Sequence, residues 1–152
     1  MVSGEQGNGN VWEWDAGPLG RLVKTAYIAM RRELEGLLKP YGITHTQWSA
    51  LGIIDNYPGI TPSEMEPILM IERPSVTSLI NGLVKRGLVY RRDHPEDARS
   101  KQIYLTEPGK ELAARTRHLT QRIDHVVRQE FTTEEYESLR SLLIRVVQRM
   151  DR

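Results

Sequence analysis

Between Asp15 and Lys39 apolar residues recur as Leu19, Leu22, Val23, Ala26, Tyr27, Met30, Leu34, Leu37 and Leu38, at spacings of three, four and one. That period lays them along one side of an α-helix, which Pro40 and Gly42 end. A second helix opens at Thr44, where Gln47 supplies the return arm of a capping box; it carries Trp48, Leu51, Ile53 and Ile54 and stops at Tyr57-Pro58-Gly59. Thr61-Pro62-Ser63-Glu64 opens a third, with proline in the first turn, where its missing N–H is no loss. A fourth starts near Glu72 to Pro74 and runs to Gly87, with Val76, Leu79, Ile80, Leu83 and Val84 as its buried stripe.

Past Gly87 the pattern changes to strands. Val89 on one side and Ile103 with Leu105 on the other mark two short strands, Gly87 to Arg92 and Lys101 to Thr106, around a charged tip from Asp93 to Arg99. The tip is longer than a two-residue turn. Helices then return. Leu112, Thr116, Leu119, Ile123, Val126 and Val127 form a narrow stripe with near-heptad spacing. Phe131-Thr132-Thr133-Glu134-Glu135-Tyr136 combines a capping box with a Phe131–Tyr136 staple, and the last helix buries Leu139, Leu142, Leu143, Val146, Val147 and Met150.

This order predicts a mainly α (α+β) fold, a winged helix-turn-helix with long terminal helices. A compact winged helix needs none of the terminal helices, and their apolar stripes exceed what the central module can cover. They are read as a dimerisation region built from both ends of the chain. Residues 1–14, rich in Gly and Asn, read as a flexible tail. Residues 15–152 read as a single domain, with 15–42 and 107–152 as dimerisation helices and 43–106 as the winged lobe.

The net charge of +1 becomes informative once divided along the chain. Residues 1–71 carry 5 Lys/Arg against 8 Asp/Glu, residues 72–106 carry 7 against 4, and residues 107–152 carry 9 against 8. The positive excess sits on the fourth helix and the wing, where phosphate contacts would be wanted; an ordinary solvated surface is the other reading. On the fourth helix Arg73, Ser75, Thr77, Ser78, Asn81 and Lys85 project away from the buried stripe. Short hydrogen-bonding groups mixed with cations suit the floor of a major groove, where base edges offer donors and acceptors; a plain polar helix face is the alternative. In the wing, Arg91 and Arg92 can reach phosphates, and Arg99 at the tip can enter a narrow minor groove. Asp97 is placed to hold that arginine or one at the strand base, or else forms only an exposed turn pair of little energetic weight.

Other classes find little support. The chain has no cysteine, which excludes a disulfide framework, a thiolate metal site and a cysteine redox sensor. No run of about 18 apolar residues exists, and the first ten residues lack the basic and apolar regions of a signal peptide, so no membrane role and a cytoplasmic place are expected. Phosphate-loop, His-Glu-x-x-His and Gly-x-Ser-x-Gly patterns are absent. His45, His94, His118 and His125 share no metal-ligand spacing, and the seven-residue interval of the last two reads as a solvated helix face. Neither catalysis nor a metal nor a cofactor is expected.

From roughly Ile43 to Lys110, and in the flanking long helices, the chain resembles the MarR (multiple antibiotic resistance regulator) family of winged helix-turn-helix transcription factors. The residues that carry the likeness are Ile43-Thr44 with Gln47-Trp48, Thr61 with Ser63-Glu64-Met65, and Arg73 through Thr77 ahead of Leu83-Val84-Lys85-Arg86-Gly87-Leu88-Val89. Above all they include Asp93-His94-Pro95-Glu96-Asp97-Ala98-Arg99-Ser100-Lys101, closing with Leu105-Thr106-Glu107-Pro108-Gly109. The resemblance implies an obligate homodimer on double-stranded DNA with a pseudo-palindromic operator, a recognition helix in the major groove and a wing arginine in the adjacent minor groove. Lys101, inside the wing run, joins the DNA-contacting set. It also implies repression relieved by a small aromatic carboxylate or phenolic effector, with Arg21 and Lys24 as anion partners and Tyr27, Met30, His45 and Trp48 as walls.

The chain departs from the family pattern in three respects. Pro67 stands inside the third helix, where it removes a backbone bond and costs on the order of 3 kcal/mol unless the helix kinks. Ser78 and Gly82 stand where longer polar or basic residues are usual, and the tail with Trp12 and Trp14, read as a possible cap on the dimer core, has no counterpart. A second function class is a winged-helix module that binds another protein without DNA; the salt dependence of duplex binding separates the two.

Overall fold

The computed structural model describes residues 17–151, so the expected tail, Trp12, Trp14 and a helix start at Asp15 lie outside the described residues. The elements are α1 (Leu19–Leu38), α2 (His45–Asn56), α3 (Pro62–Leu69), α4 (Arg73–Lys85), β1 (Val89–Asp93), β2 (Lys101–Leu105), α5 (Glu107–Thr116), α6 (Leu119–Arg128) and α7 (Thr133–Met150). This is a mainly α chain with a winged helix-turn-helix at its centre. Capping boxes form at all three expected threonines. Thr44 and Gln47 exchange bonds of 3.1 Å each, Thr61 pairs with Glu64, and Thr132 pairs with Glu135. Each joins two groups three residues apart, which is why sequence alone locates it.

Pro67 remains inside α3, whose capped start at Thr61 is intact. Its missing N–H leaves the carbonyl of Ser63 without a ladder donor. The helix ends two residues later, and Met70 turns the chain left-handed at φ 56°. α4 follows after a short turn, and α3, α4 and the hairpin pack on one core. Leu38, Leu51, Ile54, Met65, Val76, Ile80, Leu83 and Ile103 are fully enclosed in it, while Leu79 and Val84 are half-buried at its edge.

β1 and β2 pair antiparallel with Val89 opposite Leu105, Arg91 opposite Ile103 and Asp93 opposite Lys101. β2 is also stitched to the α2–α3 loop: the Ile103 N–H donates to the Ile60 carbonyl, and the Gly59 N–H to the Ile103 carbonyl, each at 2.9 Å. That seam fixes the wing relative to α3 and α4.

The apolar stripe from Leu112 to Val127 is divided between α5 and α6 by a joint at Arg117 and His118. Tertiary contacts meet at this joint. The Trp48 indole N–H donates to the Thr116 carbonyl at 3.3 Å, and the Thr116 hydroxyl bonds back to the Leu112 carbonyl at 2.8 Å. Arg117 turns instead to Asp55 at 2.7 Å. The expected burial along α7 is not met within one chain. Leu139, Leu142, Leu143, Val146, Val147 and Met150 are all exposed, and Met150 retains 75% of its surface. Leu19, Leu22, Val23 and Tyr27 on α1 are exposed as well.

Candidate nucleic-acid interface

On α4 the core takes Val76, Ile80 and Leu83, so the helical period turns Arg73, Ser75, Thr77, Ser78, Asn81 and Lys85 outward, and all six are exposed. Arg73 sits in the first turn. Its guanidinium donates to the Ser63 hydroxyl and lies 3.9 Å from the Glu66 carboxylate, both on α3. The Thr77 hydroxyl donates to the Arg73 carbonyl at 3.1 Å, which leaves its methyl and oxygen lone pairs facing out. Ser63 and Glu66 were not among the expected site residues. Ser63 is exposed and Glu66 half-buried, and no signal in the sequence joined either to Arg73, which reaches them across two helices.

Strand alternation separates the two wing arginines. Arg91 shares the face of Val89, toward α4, where its guanidinium donates to the side-chain oxygen of Asn81. Arg92 lies on the opposite face, 5.5 Å over the Tyr104 ring and 5.9 Å over that of Tyr90, rings that stack 5.6 Å apart. The two arginines therefore do not form one phosphate-facing pair; only Arg91 joins the α4 surface. At the tip, the Asp97 carboxylate accepts from the Arg99 backbone N–H at 3.0 Å and lies 3.7 Å from its Nε. Of the two partners considered for Asp97, the structure selects the arginine in its own turn. The Arg99 side chain is 96% exposed, so this pair orients the loop without adding much stability. Lys101 pairs with Asp93 across the strands.

A cavity of about 420 Å³ lies where α1, α2, α6 and α7 meet. Tyr27, Met30, His45 and Trp48 all line it, as expected, and His45 and Trp48 face each other at 5.9 Å. Burial holds the His45 imidazole below its usual 6.5, and Arg31 pushes the same way while Glu35 opposes. Arg21 and Lys24 do not line the cavity, which corrects that expectation. They stand about two turns and about one turn before Tyr27 on α1, so the rise of the helix carries them past the mouth. The cations at the wall are Arg31 and Arg140. Arg31 is four residues from Tyr27 and was legible by that spacing, whereas Arg140 reaches the site only because α7 folds back. Asp124 and Tyr136 line the same cavity, and the Asp124 carboxylate accepts from the Tyr136 hydroxyl and from Arg128, the latter at 2.7 Å. The bond from Arg128 foremost, and then that from Tyr136, hold the Asp124 carboxyl below its ordinary range, while the bond to Asp124 raises the Tyr136 phenol against the opposing charge of Arg128. A larger apolar groove of about 870 Å³ runs between Leu19 and the α7 residues Leu139 to Met150.

Among the described residues no group of three His, Asp or Glu is placed to hold a metal ion, and no helix is long and apolar enough to cross a membrane.

A sequence model described as the MarR family matches residues 41–100, the lobe that holds α2 to the wing tip. The multiple antibiotic resistance protein MarR of Escherichia coli (strain K12) is 30% identical over 131 residues, covering 86% of this chain and 91% of that protein. The crystal structure of the reduced form of MarR from E. coli superposes with a TM-score of 0.76 at 30% identity, over 86% of this chain and 96% of that one. A mutant of the same protein complexed with operator DNA gives 0.80 at 29% identity, over 87% and 95%. The transcriptional repressor CouR bound to a 23-mer DNA duplex gives 0.77 at 27% identity, over 86% and 92%.

Proposed function

This chain belongs to the MarR family of transcriptional regulators, and from that premise we propose that it is a sequence-specific repressor that binds a pseudo-palindromic duplex operator as a homodimer and is released by a small aromatic or phenolic anion. One observation carries the DNA reading. The outward strip of α4 and the wing cations Arg91, Arg99 and Lys101 stand on one lobe, tied together by the Arg91–Asn81 bond, with the apolar core directly behind them. In this reading Arg73, Ser75, Thr77, Ser78 and Asn81 meet base edges, Lys85, Arg91 and Lys101 meet phosphates, and Arg99, held by Asp97, enters the minor groove.

The homodimer reading is supported by the exposed apolar faces of α1 and α7, too extensive for a lone soluble chain to leave wet. Residues 15–42 and 107–152 then form the dimer layer and residues 43–106 the DNA-binding lobe. A cytoplasmic place follows from the same reading. The effector reading is supported by the cavity walled by Tyr27, Met30, His45 and Trp48 with Arg31 and Arg140 beside them: apolar surface for a ring and guanidinium for a carboxylate. A ligand there relieves repression only if it binds the DNA-incompetent arrangement more tightly.

The deciding experiment is titration of duplexes from the regulator's own gene neighbourhood at several salt concentrations. A DNA regulator gives a steep fall, with a log–log slope of roughly −0.9 for each phosphate neutralised. A flat response, or no duplex binding at low salt, means that the wing serves a protein partner instead.

A further inference from the structure

Trp48 stands on α2, yet its indole N–H reaches the last residue of α5, donating to the Thr116 carbonyl at 3.3 Å. An indole has that one donor and no acceptor, so the polar edge of the ring is held at a single point. The ring also lines two cavities. One is the 420 Å³ cavity of the proposed effector, and the other, of about 360 Å³, is walled by Gly52, Ala113, Thr116 and Arg117. A push from the first has room to be taken up in the second.

The bond lands where the chain passes from the lobe to the terminal helices. α5 packs on α2 and β2, whereas α6 packs on α1. Between them Arg117 (φ −56°, ψ −39°) and His118 (φ −70°, ψ −13°) already lie in the right-handed helical region. Only the ψ of His118 departs much from the value of about −42° in a regular helix. The joint is therefore one small rotation from a continuous helix, in which the Thr116 carbonyl would accept from the Thr120 N–H. A carbonyl oxygen accepts twice, so the indole does not bar Thr120 by occupancy. It tethers the last turn of α5 to α2 and so fixes the angle at which α6 departs. The Arg117–Asp55 pair, with the arginine side chain 70% exposed, is the weaker tie.

We infer that Trp48 is the positioning residue through which the cavity controls that angle, an inference that rests on the effector reading proposed above. An aromatic anion pushes the ring toward the second cavity, the indole lets go of Thr116, and α5 and α6 join into one helix that sets the lobe at a different angle to the terminal layer. The ligand then favours the untethered arrangement and DNA the tethered one, which is the differential affinity that release requires.

The test titrates benzoate against the full-length protein, alone and on an operator duplex. Two variants are compared with the wild type, and circular dichroism establishes that each is folded. Trp48→3-benzothienylalanine keeps the shape of the ring and replaces the N–H by sulfur. With no tether to break, it should bind benzoate about fivefold more tightly, the ratio that one ordinary hydrogen bond is worth, and release the operator at correspondingly less benzoate. Its operator affinity without benzoate should change by less. Trp48→Leu removes the ring that is pushed. Benzoate should still raise its melting temperature through the remaining walls but change its operator affinity by no more than about twofold, against about fivefold or more in the wild type. A merely structural bond would lower the melting temperature of the benzothienyl variant and leave both benzoate midpoints where the wild type has them, and that result overturns the inference. A Trp48→Leu protein that releases the operator as the wild type does overturns it too. A wild type whose melting temperature and operator affinity ignore benzoate and salicylate alike rejects the effector reading itself, and this inference with it.

Discussion

Substituting Gly109 tests how tightly the wing is seated on the rest of the chain. Gly109 is the third residue of α5, and a Cβ built on it would stand 2.0 Å from the Leu88 carbonyl oxygen and 3.0 Å from its carbon. Ordinary contact begins at 3.4 Å, so alanine must open the gap between α5 and the start of β1 by about 1.4 Å. The same junction holds the Thr106 N–H on the Leu88 carbonyl at 3.1 Å and the Thr106 hydroxyl on the Gly87 carbonyl at 2.6 Å. Losing those two bonds costs about 2 kcal/mol, overpacking strain adds about 1–3 kcal/mol, and the better helix propensity of alanine offsets about 1 kcal/mol. The expected net loss is about 2–4 kcal/mol, which for a chain of this length lowers Tm by roughly 5–15 °C. Thermal unfolding followed by circular dichroism reads it directly. Gly52→Ala is the matched control: it lies within α2, its Cβ would meet nothing within 4 Å, and it should raise stability by about 0.5–1 kcal/mol. A Gly109→Ala protein melting at or above the wild type would refute the reasoning, since it would mean that the junction yields at no cost.

Three further outcomes are expected. Arg99→Ala should weaken operator binding tenfold or more while fold and dimer persist, because its side chain touches only its own turn; unchanged affinity in a titration would remove Arg99 from the minor groove. Deleting residues 132–152 should give an aggregating or monomeric chain on size-exclusion chromatography, since it strips α7 from α1 and bares the cavity. A well-behaved monomer that still bound the full operator normally would exclude the terminal-helix dimer. Because the folded chain holds His45 below the 6.5 of the unfolded one, its contribution to stability is complete above that pH and lost as pH falls through the lower folded value. Melting temperature should therefore drop between about pH 7 and pH 5 in the wild type and less in His45→Gln; parallel curves would count against that assignment.

Local signals carried most of the fold. The capping boxes at Thr44, Thr61 and Thr132, the buried stripe of α4 and the strand pair each depend on residues a turn or a hairpin apart, and periodicity exposes such pairs. What the sequence hid was long-range. The Trp48–Thr116 bond spans 68 residues, so nothing near Thr116 announces that its carbonyl leaves the helical ladder. Arg140 is hidden in the same way, being brought to the cavity by the return of α7. The split between Arg91 and Arg92 was legible in principle, since neighbours on a strand face opposite ways, but which face met α4 depended on the Ile60–Ile103 seam.

Three cations of the lobe arrive with acids attached: Arg73 with Glu66, Arg99 with Asp97 and Lys101 with Asp93. Beyond a Debye length of about 8 Å such a pair acts as a dipole, and its field fades faster than that of a lone charge. If a duplex is the partner, as proposed, these three pairs add little to long-range steering, which falls to the cations that carry no acid, Lys85 and Arg91 among them. These side chains begin to act on contact, when a phosphate oxygen displaces the carboxylate from each. At those three positions added salt should act on the lifetime of the complex and hardly on the encounter.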